Sequence, residues 1–215
     1  MTRKERYEHI LDTFRARQPH ATTELLFASA FQLLVATVLS AQCTDKRVNQ
    51  VTPGLFHRYP DAPRMATASA EDVLEHIRSV SYPNAKARHL VEMARILVDK
   101  YGGEVPESHA ELVKLPGVGQ KTANVVEAVW FGHATIAVDT HVFRVAHRLG
   151  LVPKDATTPL KVEACLMRHI PKDDIPNAHH WLLLHGRYVC KSAKPLCTRC
   201  PFNDFCPKLL EGSKL

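Results

Sequence analysis

The chain has 215 residues, 45% of them hydrophobic and 23% charged, which is enough apolar content for the core of one large or two small domains. A formal charge of +6 favours polyanionic partners, although many basic proteins bind no nucleic acid. Met1–Arg6 leads into a charged amphipathic segment, and the most apolar stretch, Phe27 to Ala41, is short and interrupted by Ser29, Gln32 and Thr37. Neither a cleavable leader nor a bilayer span is expected, and the protein is expected to be soluble and intracellular.

Taken in order, Thr2 and Glu5 are spaced as a capping box for a first helix with Tyr7, Ile10, Leu11 and Phe14 on one face. Gln18-Pro19-His20-Ala21 breaks it and reads as a domain crossing. Phe27 to Gln42 is apolar nearly all round, which predicts a buried central helix. Thr44 and Asp45 open the next helix, with Val48, Val51, Leu55 and Phe56; Pro53 inside it predicts a kink or an early stop. Ser69–Asp72 starts a short helix through Val73, Leu74 and Ile77. Ser79–Asn84 reads as a loop, followed by a long helix with Leu90, Met93, Leu97 and Tyr101 that Gly102-Gly103 ends.

The stretch Leu115-Pro116-Gly117-Val118-Gly119-Gln120-Lys121-Thr122-Ala123-Asn124 organises the chain. A helix-length segment with Ser108 and Glu111 spaced as a capping box precedes it, and a second apolar-periodic segment, Gln120 to Phe131, stops at Gly132. This predicts a helix, a tight glycine turn and a helix. Gly117, Val118 and Gly119 present backbone N–H groups beside the positive end of the second helix, a ready site for a nucleic-acid phosphate. Lys121 falls in that helix's first turn, where the dipole and partial burial disfavour an ammonium and leave an amine able to attack an electrophilic carbon.

Ala134–Val138 reads as a strand or a buried connector. Asp139 sits where a helix N-cap belongs, and Thr140 to Leu149 closes at Gly150. Thr158-Pro159 starts a helix with Val162, Cys165, Leu166 and Ile170 inward, and a last helix runs from Asn177 through Trp181 to Tyr188. No sustained alternation of period two appears, so the expected fold is all-α.

Six cysteines are present, and four of them, Cys190, Cys197, Cys200 and Cys206, crowd the last 26 residues while Cys43 and Cys165 stand alone. Without a secretory leader a metal site is the better reading than disulfides. A tetrahedral zinc site and an iron–sulfur cubane both fit; only Cys197 and Cys200 form a close pair, and the wider gaps favour the cubane. Its expected role is structural, tying down a loop that presents Lys191, Lys194 and Arg199 to phosphates.

Leu39–Asp45, Leu115–Ala123, Val138–Val145 and the cysteine tail together resemble the endonuclease III group of the helix-hairpin-helix DNA glycosylases, over essentially the whole chain. The resemblance implies two helical domains flanking a DNA-binding cleft. One is a six-helix domain at 22–134 carrying the hairpin; the other is discontinuous, at 1–21 and 135–215, and carries one [4Fe-4S] cluster on Cys190, Cys197, Cys200 and Cys206. It implies a base-excision-repair glycosylase with abasic-site lyase activity on oxidised or ring-saturated pyrimidines. The partner would be duplex DNA holding a damaged pyrimidine or an abasic site, and the protein a monomer, nucleoid-associated in the cytoplasm if bacterial.

Lys121 then matches the family nucleophile and Asp139 its catalytic aspartate, which is equally a plain N-cap. Gln42 matches the residue that enters the gap left by the flipped base, Tyr82 would be an aromatic wedge, and His141 lines the pocket or is a core histidine. Two departures stand out. Ser81-Tyr82-Pro83 occupies the wedge loop where the family has a glycine and a bulky residue such as leucine, and Gln120 replaces a common arginine. A water-using mismatch glycosylase of the same superfamily typically lacks the lysine, and its adenine-specific members carry a further C-terminal domain. A helix-hairpin-helix module that only anchors a repair complex would have no need for both Lys121 and Asp139.

Overall fold

A computed structural model describes residues 1–208. Its helices are α1 (Arg3–Arg17), α2 (Ala30–Ser40), α3 (Asp45–Arg58), α4 (Ala62–Ala66), α5 (Ala70–Ile77), α6 (Pro83–Tyr101), α7 (His109–Leu112), α8 (Gln120–Val129), α9 (Thr140–Arg148), α10 (Pro159–His169) and α11 (Ile175–Tyr188). Two 3-10 turns, Lys172–Asp174 and Cys197–Arg199, complete the described elements, and no strand occurs among the described residues. The chain is all-α. Residues 209–215 of the expected second domain lie outside the described residues.

Contacts divide the chain into two units, one continuous, Glu24–Phe131, and one built from Met1–Thr23 and the chain from Gly132 onward. In the continuous unit α2 is the central post: from Ala30 to Leu39 only Gln32 is not buried. Helices α3, α6 and α8 pack on it, and α4 and α5 pack on α6. Leu33, Leu34, Leu39, Leu55, Leu90, Met93 and Leu97 are fully buried, each contributing about 1.5–3 kcal/mol against exposure.

Helix α3 runs through Pro53 to Arg58, so the expected stop does not occur. Losing one ladder bond and clashing at the proline costs about 3 kcal/mol, and burying Val48 and Leu55 on one face repays as much. Helix α4 escapes the sequence because five residues barely exceed one turn; Asp61 caps it by accepting from the Arg64 N–H at 2.8 Å. Helix α6 begins earlier than expected, at Pro83, whose fixed φ suits a first helical position. The Ser108 capping box does not form: the Glu111 N–H donates to the Ser108 carbonyl at 3.0 Å rather than to its hydroxyl, and the Glu111 carboxylate accepts from the Tyr101 hydroxyl and the Lys114 ammonium, both at 2.6 Å. Helix α8 ends at Val129, two residues before the expected stop.

In the discontinuous unit the predicted face of α1 is buried as Tyr7, Ile10, Leu11 and Phe14, and the Thr2–Glu5 capping box forms. Phe14 stacks on Trp181 of α11 at 5.7 Å and meets Phe202 edge-on at 5.0 Å. The Trp181 indole N–H, buried with its ring, donates to the Gln18 carbonyl at 2.7 Å. Arg15 forks onto Asp174, so the N-terminal helix is held to the C-terminal half by a core and by a charge pair. Residues 134–138 form a connector with Ile136 and Ala137 buried.

Candidate functional site

Within the continuous unit the hairpin forms as read. Helix α7 ends, Leu115 and Val118 N–H groups close successive turns onto the Leu112 and Leu115 carbonyls, and α8 begins. Gly117 has φ +77, a left-handed conformation, and a side chain there would press on His89 and Val38 at 3.2 Å. Gly119 differs: its backbone is extended, and the space in front of it is open. Helix α8 starts from it with no side-chain cap, leaving the helix start open to an external anion. Val118 points its side chain into the core, and its N–H, expected to face a phosphate, is instead donated to the Leu115 carbonyl at 3.1 Å.

Lys121 is exposed on the first turn of α8, and the expectation of partial burial is corrected: Ala123, Asn124, Val126 and Glu127 take the buried face. The two hairpin helices are tied by His109 Nδ1 and Glu127 Oε2 at 2.5 Å, Glu127 being buried. No sequence pattern announced that pair.

Gln42 and Tyr82 lie on neighbouring loops of the same unit. Both are exposed and both have left-handed backbones, with φ 54 and 55. The Ser81 hydroxyl donates to the Gln42 carbonyl at 2.6 Å. The Lys86 ammonium, buried on α6, donates to the Leu39 and Ala41 carbonyls at 2.7 Å each. Burial draws the Lys86 pKa below its ordinary value, and Cys43 nearby opposes this.

In the discontinuous unit Asp139 is the N-cap of α9: its Oδ1 accepts from the His141 and Val142 N–H groups, each at 2.8 Å. The cap fixes the rotamer of a half-buried carboxylate. His141 is half-buried too, with Arg144 Nη2 at 3.1 Å from its Nδ1. A guanidinium only donates, so Nδ1 accepts and the proton sits on Nε2. Burial lowers the pKa of His141, opposed by Asp139 and helped by Arg144, which keeps the ring neutral near pH 7.

Arg144 also donates to the Cys190 and Gly186 carbonyls, both at 3.0 Å. Gly186 itself admits no side chain, since a Cβ would lie 2.8 Å from that of His141. Arg148 Nη1 holds the Lys191 carbonyl at 2.7 Å, and Nη2 holds that of Ser192 at 3.0 Å. The Lys191 side chain itself is exposed. Cys190, Cys197, Cys200 and Cys206 are all half-buried and line one cavity of about 40 Å³ with Leu149, His185 and Leu196. Among the described residues no three His, Cys, Asp or Glu side chains converge as they do around a single metal ion. Cys43 and Cys165 are not among the residues lining that cavity.

The HhH-GPD superfamily model of base excision DNA repair proteins matches residues 35–172. The chain is 45% identical to endonuclease III of Bacillus subtilis over 96% of this chain and 93% of that protein. It is 44% identical to endonuclease III of Escherichia coli K12 over 96% of each. A trapped endonuclease III–DNA covalent intermediate, an estranged-adenine complex, superposes with a TM-score of 0.90 at 44% identity, over 97% of each chain. A thermostable thymine-DNA glycosylase shares the fold, with a TM-score of 0.84 at 20% identity over 96% of each chain. The chain belongs to the endonuclease III group of the HhH-GPD superfamily of base excision DNA repair proteins.

Proposed function

We propose that the protein removes oxidised or ring-saturated pyrimidines from duplex DNA and then cleaves the abasic strand, with Lys121 as nucleophile and Asp139 as its carboxylate partner. The observation that carries this reading is the placement of Lys121. An exposed primary amine stands one residue into a helix whose open start follows the glycine turn, so the group that attacks and the group that holds a phosphate belong to one rigid element.

The target nucleotide leaves the stack, and the Lys121 amine attacks its C1′. The C1′–N bond breaks, its electron pair leaves with the base, and the base takes up a proton. The Asp139 carboxylate stabilises the positive charge that develops on the sugar and accepts a proton from the attacking amine. The sugar ring opens to an imine on Lys121. Loss of a 2′ proton then expels the 3′ phosphate by β-elimination, and water hydrolyses the imine to free the lysine. Gln42 hydrogen-bonds the base left without a partner, and Tyr82 stacks into the duplex. The Gly117–Gly119 backbone and Lys191 hold phosphates.

The four cysteines would hold one [4Fe-4S] cluster: all four line a single cavity, and only Cys197 and Cys200 form a close pair in sequence. The cluster would anchor the loop carrying Lys191. The hairpin domain is assigned to residues 22–134 and the cluster domain to 1–21 with the chain from 135, supported by contact boundaries after Thr23 and Phe131. The protein is taken to act as an intracellular monomer at the nucleoid.

Borohydride reduction of a reaction on a duplex with a single thymine glycol tests the assignment. Wild type gives a covalent adduct; Lys121→Gln gives none yet still binds the duplex. Asp139→Asn slows excision by about 10²–10⁴-fold with a smaller effect on affinity. An adduct from Lys121→Gln would place the chemistry on another amine. No adduct from folded, cluster-loaded wild type would favour water attack or a non-catalytic anchor.

A further inference from the structure

We infer that Ser81 and Lys86 are positioning residues that lock Gln42 and Tyr82 into one preformed wedge, so that both enter the duplex as a unit. This rests on the reading above, in which those two side chains take the place of the extruded nucleotide and part its neighbours.

The two residues are held in costly backbone conformations. Besides Lys208, Gln42 and Tyr82 are the non-glycine residues with positive φ among the described residues. A left-handed residue other than glycine is strained and persists only where its surroundings enforce it. Tyr82 is the more strained, because it also precedes Pro83, whose ring crowds a helical conformation of either hand.

What enforces them is a closed circuit of hydrogen bonds. The Ser81 hydroxyl donates to the Gln42 carbonyl at 2.6 Å. The Lys86 backbone N–H donates to the Tyr82 carbonyl at 3.1 Å. The Lys86 ammonium reaches back to the Ala41 carbonyl at 2.7 Å. Ala41 and Gln42 adjoin, as do Ser81 and Tyr82, so the circuit closes with one wedge residue on each loop.

Helix α2 gives the circuit a fixed post. It is buried nearly all round, and its terminal carbonyls are accounted for one by one: Val38 accepts from Ala41 N–H, Ser40 from Cys43 N–H, and Leu39 from Lys86. An ammonium at a helix C-terminus meets the negative end of the dipole, and in a buried setting this attraction is little screened. Lys86 therefore fastens the loop of Gln42 to the start of α6, from which Tyr82 hangs. The Ser81 hydroxyl supplies a tie that glycine in its place would have no atom to make. Two side chains held by one rigid frame lose less freedom on entering DNA than two held by separate loops.

The test compares wild type with Ser81→Ala, Ser81→Thr and Lys86→Met in three measurements. These are single-turnover excision of thymine glycol, borohydride trapping on a preformed abasic site, and fluorescence of 2-aminopurine beside a tetrahydrofuran abasic analogue. Ser81→Ala is expected to slow excision about tenfold, the weight of one hydrogen bond, and to lose most of the fluorescence rise that unstacking produces. Trapping on the preformed abasic site, where no base has to be evicted, falls less, and affinity for undamaged duplex is retained. Ser81→Thr, which keeps the hydroxyl, restores the fluorescence rise. Lys86→Met loses more than Ser81→Ala, with thermal unfolding monitored alongside; should it fail to fold, Ser81→Ala decides. Ser81→Ala indistinguishable from wild type, or equal losses on both substrates, would overturn the positioning role while leaving the lysine chemistry intact. Absence of trapping by wild type would instead overturn the functional reading itself.

Discussion

His180 lies buried on α11, its ring edge-on to that of His179 at 4.8 Å. Burial, aided by the Arg187 guanidinium, pushes its pKa down to about 4. The unfolded imidazole, with an ordinary value of about 6.5, takes a proton first as pH falls, so the folded state is disfavoured progressively below that point. Stability is complete above about pH 6.5 and is lost through the window down to about pH 4, with roughly 2 kcal/mol gone by pH 5. Urea midpoints at pH 8 and pH 5 check this: His180→Gln should flatten the acid slope by about that amount, the contributions of other histidines being common to both proteins. An unchanged slope would mean that acid acts elsewhere. The residues that matter were unevenly legible. Asp139 was readable as a cap because an aspartate before a helical pattern has a known bond to make, and it makes two. Lys86 was not singled out, although a signal was there: at position 86 it falls on the stripe of Leu90, Met93 and Leu97, and a lysine on a buried stripe must have found acceptors. Ser81 read only as a departure from a pattern, because its partner is 39 residues away in sequence.

At the scale of elements, helix starts were legible at the local side-chain caps Thr2, Thr44, Ser69, Asp139 and Thr158, but not at Asp61, nor at Ser29, the cap of α2, which begins three residues past the expected start. At Ser108 the start was right but the capping box does not close, because the Glu111 carboxylate is held by Tyr101 and Lys114, and at Pro53 inside α3 burial overrode a local breaker. The hairpin shows the same division between its two glycines. Gly117 serves the fold: alanine there would be strained by its left-handed φ and would press on His89 and Val38, costing about 1–3 kcal/mol. Gly119 has an extended backbone and open space before it, so alanine there costs the fold less than at Gly117, only the weaker fit of alanine to a helix N-cap, yet its methyl group would stand where a phosphate approaches. Thermal unfolding and duplex binding, measured for both variants, should separate. Gly117→Ala lowers the melting temperature. Gly119→Ala lowers it less and weakens binding. Full affinity in folded Gly119→Ala would show that no phosphate comes close to that turn.

For the whole molecule, the path of the chain decides what depends on the cysteine loop. The continuous unit enters at Glu24, leaves at Phe131, and holds a complete core around α2 drawn entirely from its own residues. The other unit draws its core from both ends of the chain, and Cys190, Cys200 and Cys206 pack against it beside Phe202 and Phe205. Among the described residues, arginines of that unit hold backbone carbonyls of the loop, Arg6 on Phe205, Arg144 on Cys190 and Arg148 on Lys191 and Ser192. A metal centre that closes this loop contributes its binding free energy to folding only where the loop's contacts reach. Removing the proposed cluster by oxidation and chelation should therefore abolish amide exchange protection in residues 189–206 and lower it in α9 and α11. The amides of α2, α6 and α8 should keep theirs. The basic loop would lose its fixed display of Lys191, so affinity for undamaged duplex should fall and its dependence on salt become shallower. If protection collapsed equally in both units, the two cores would be one cooperative structure and the cysteine loop a keystone for the whole chain; if none were lost, the carbonyl clamps of Arg6, Arg144 and Arg148 would hold the loop without a metal.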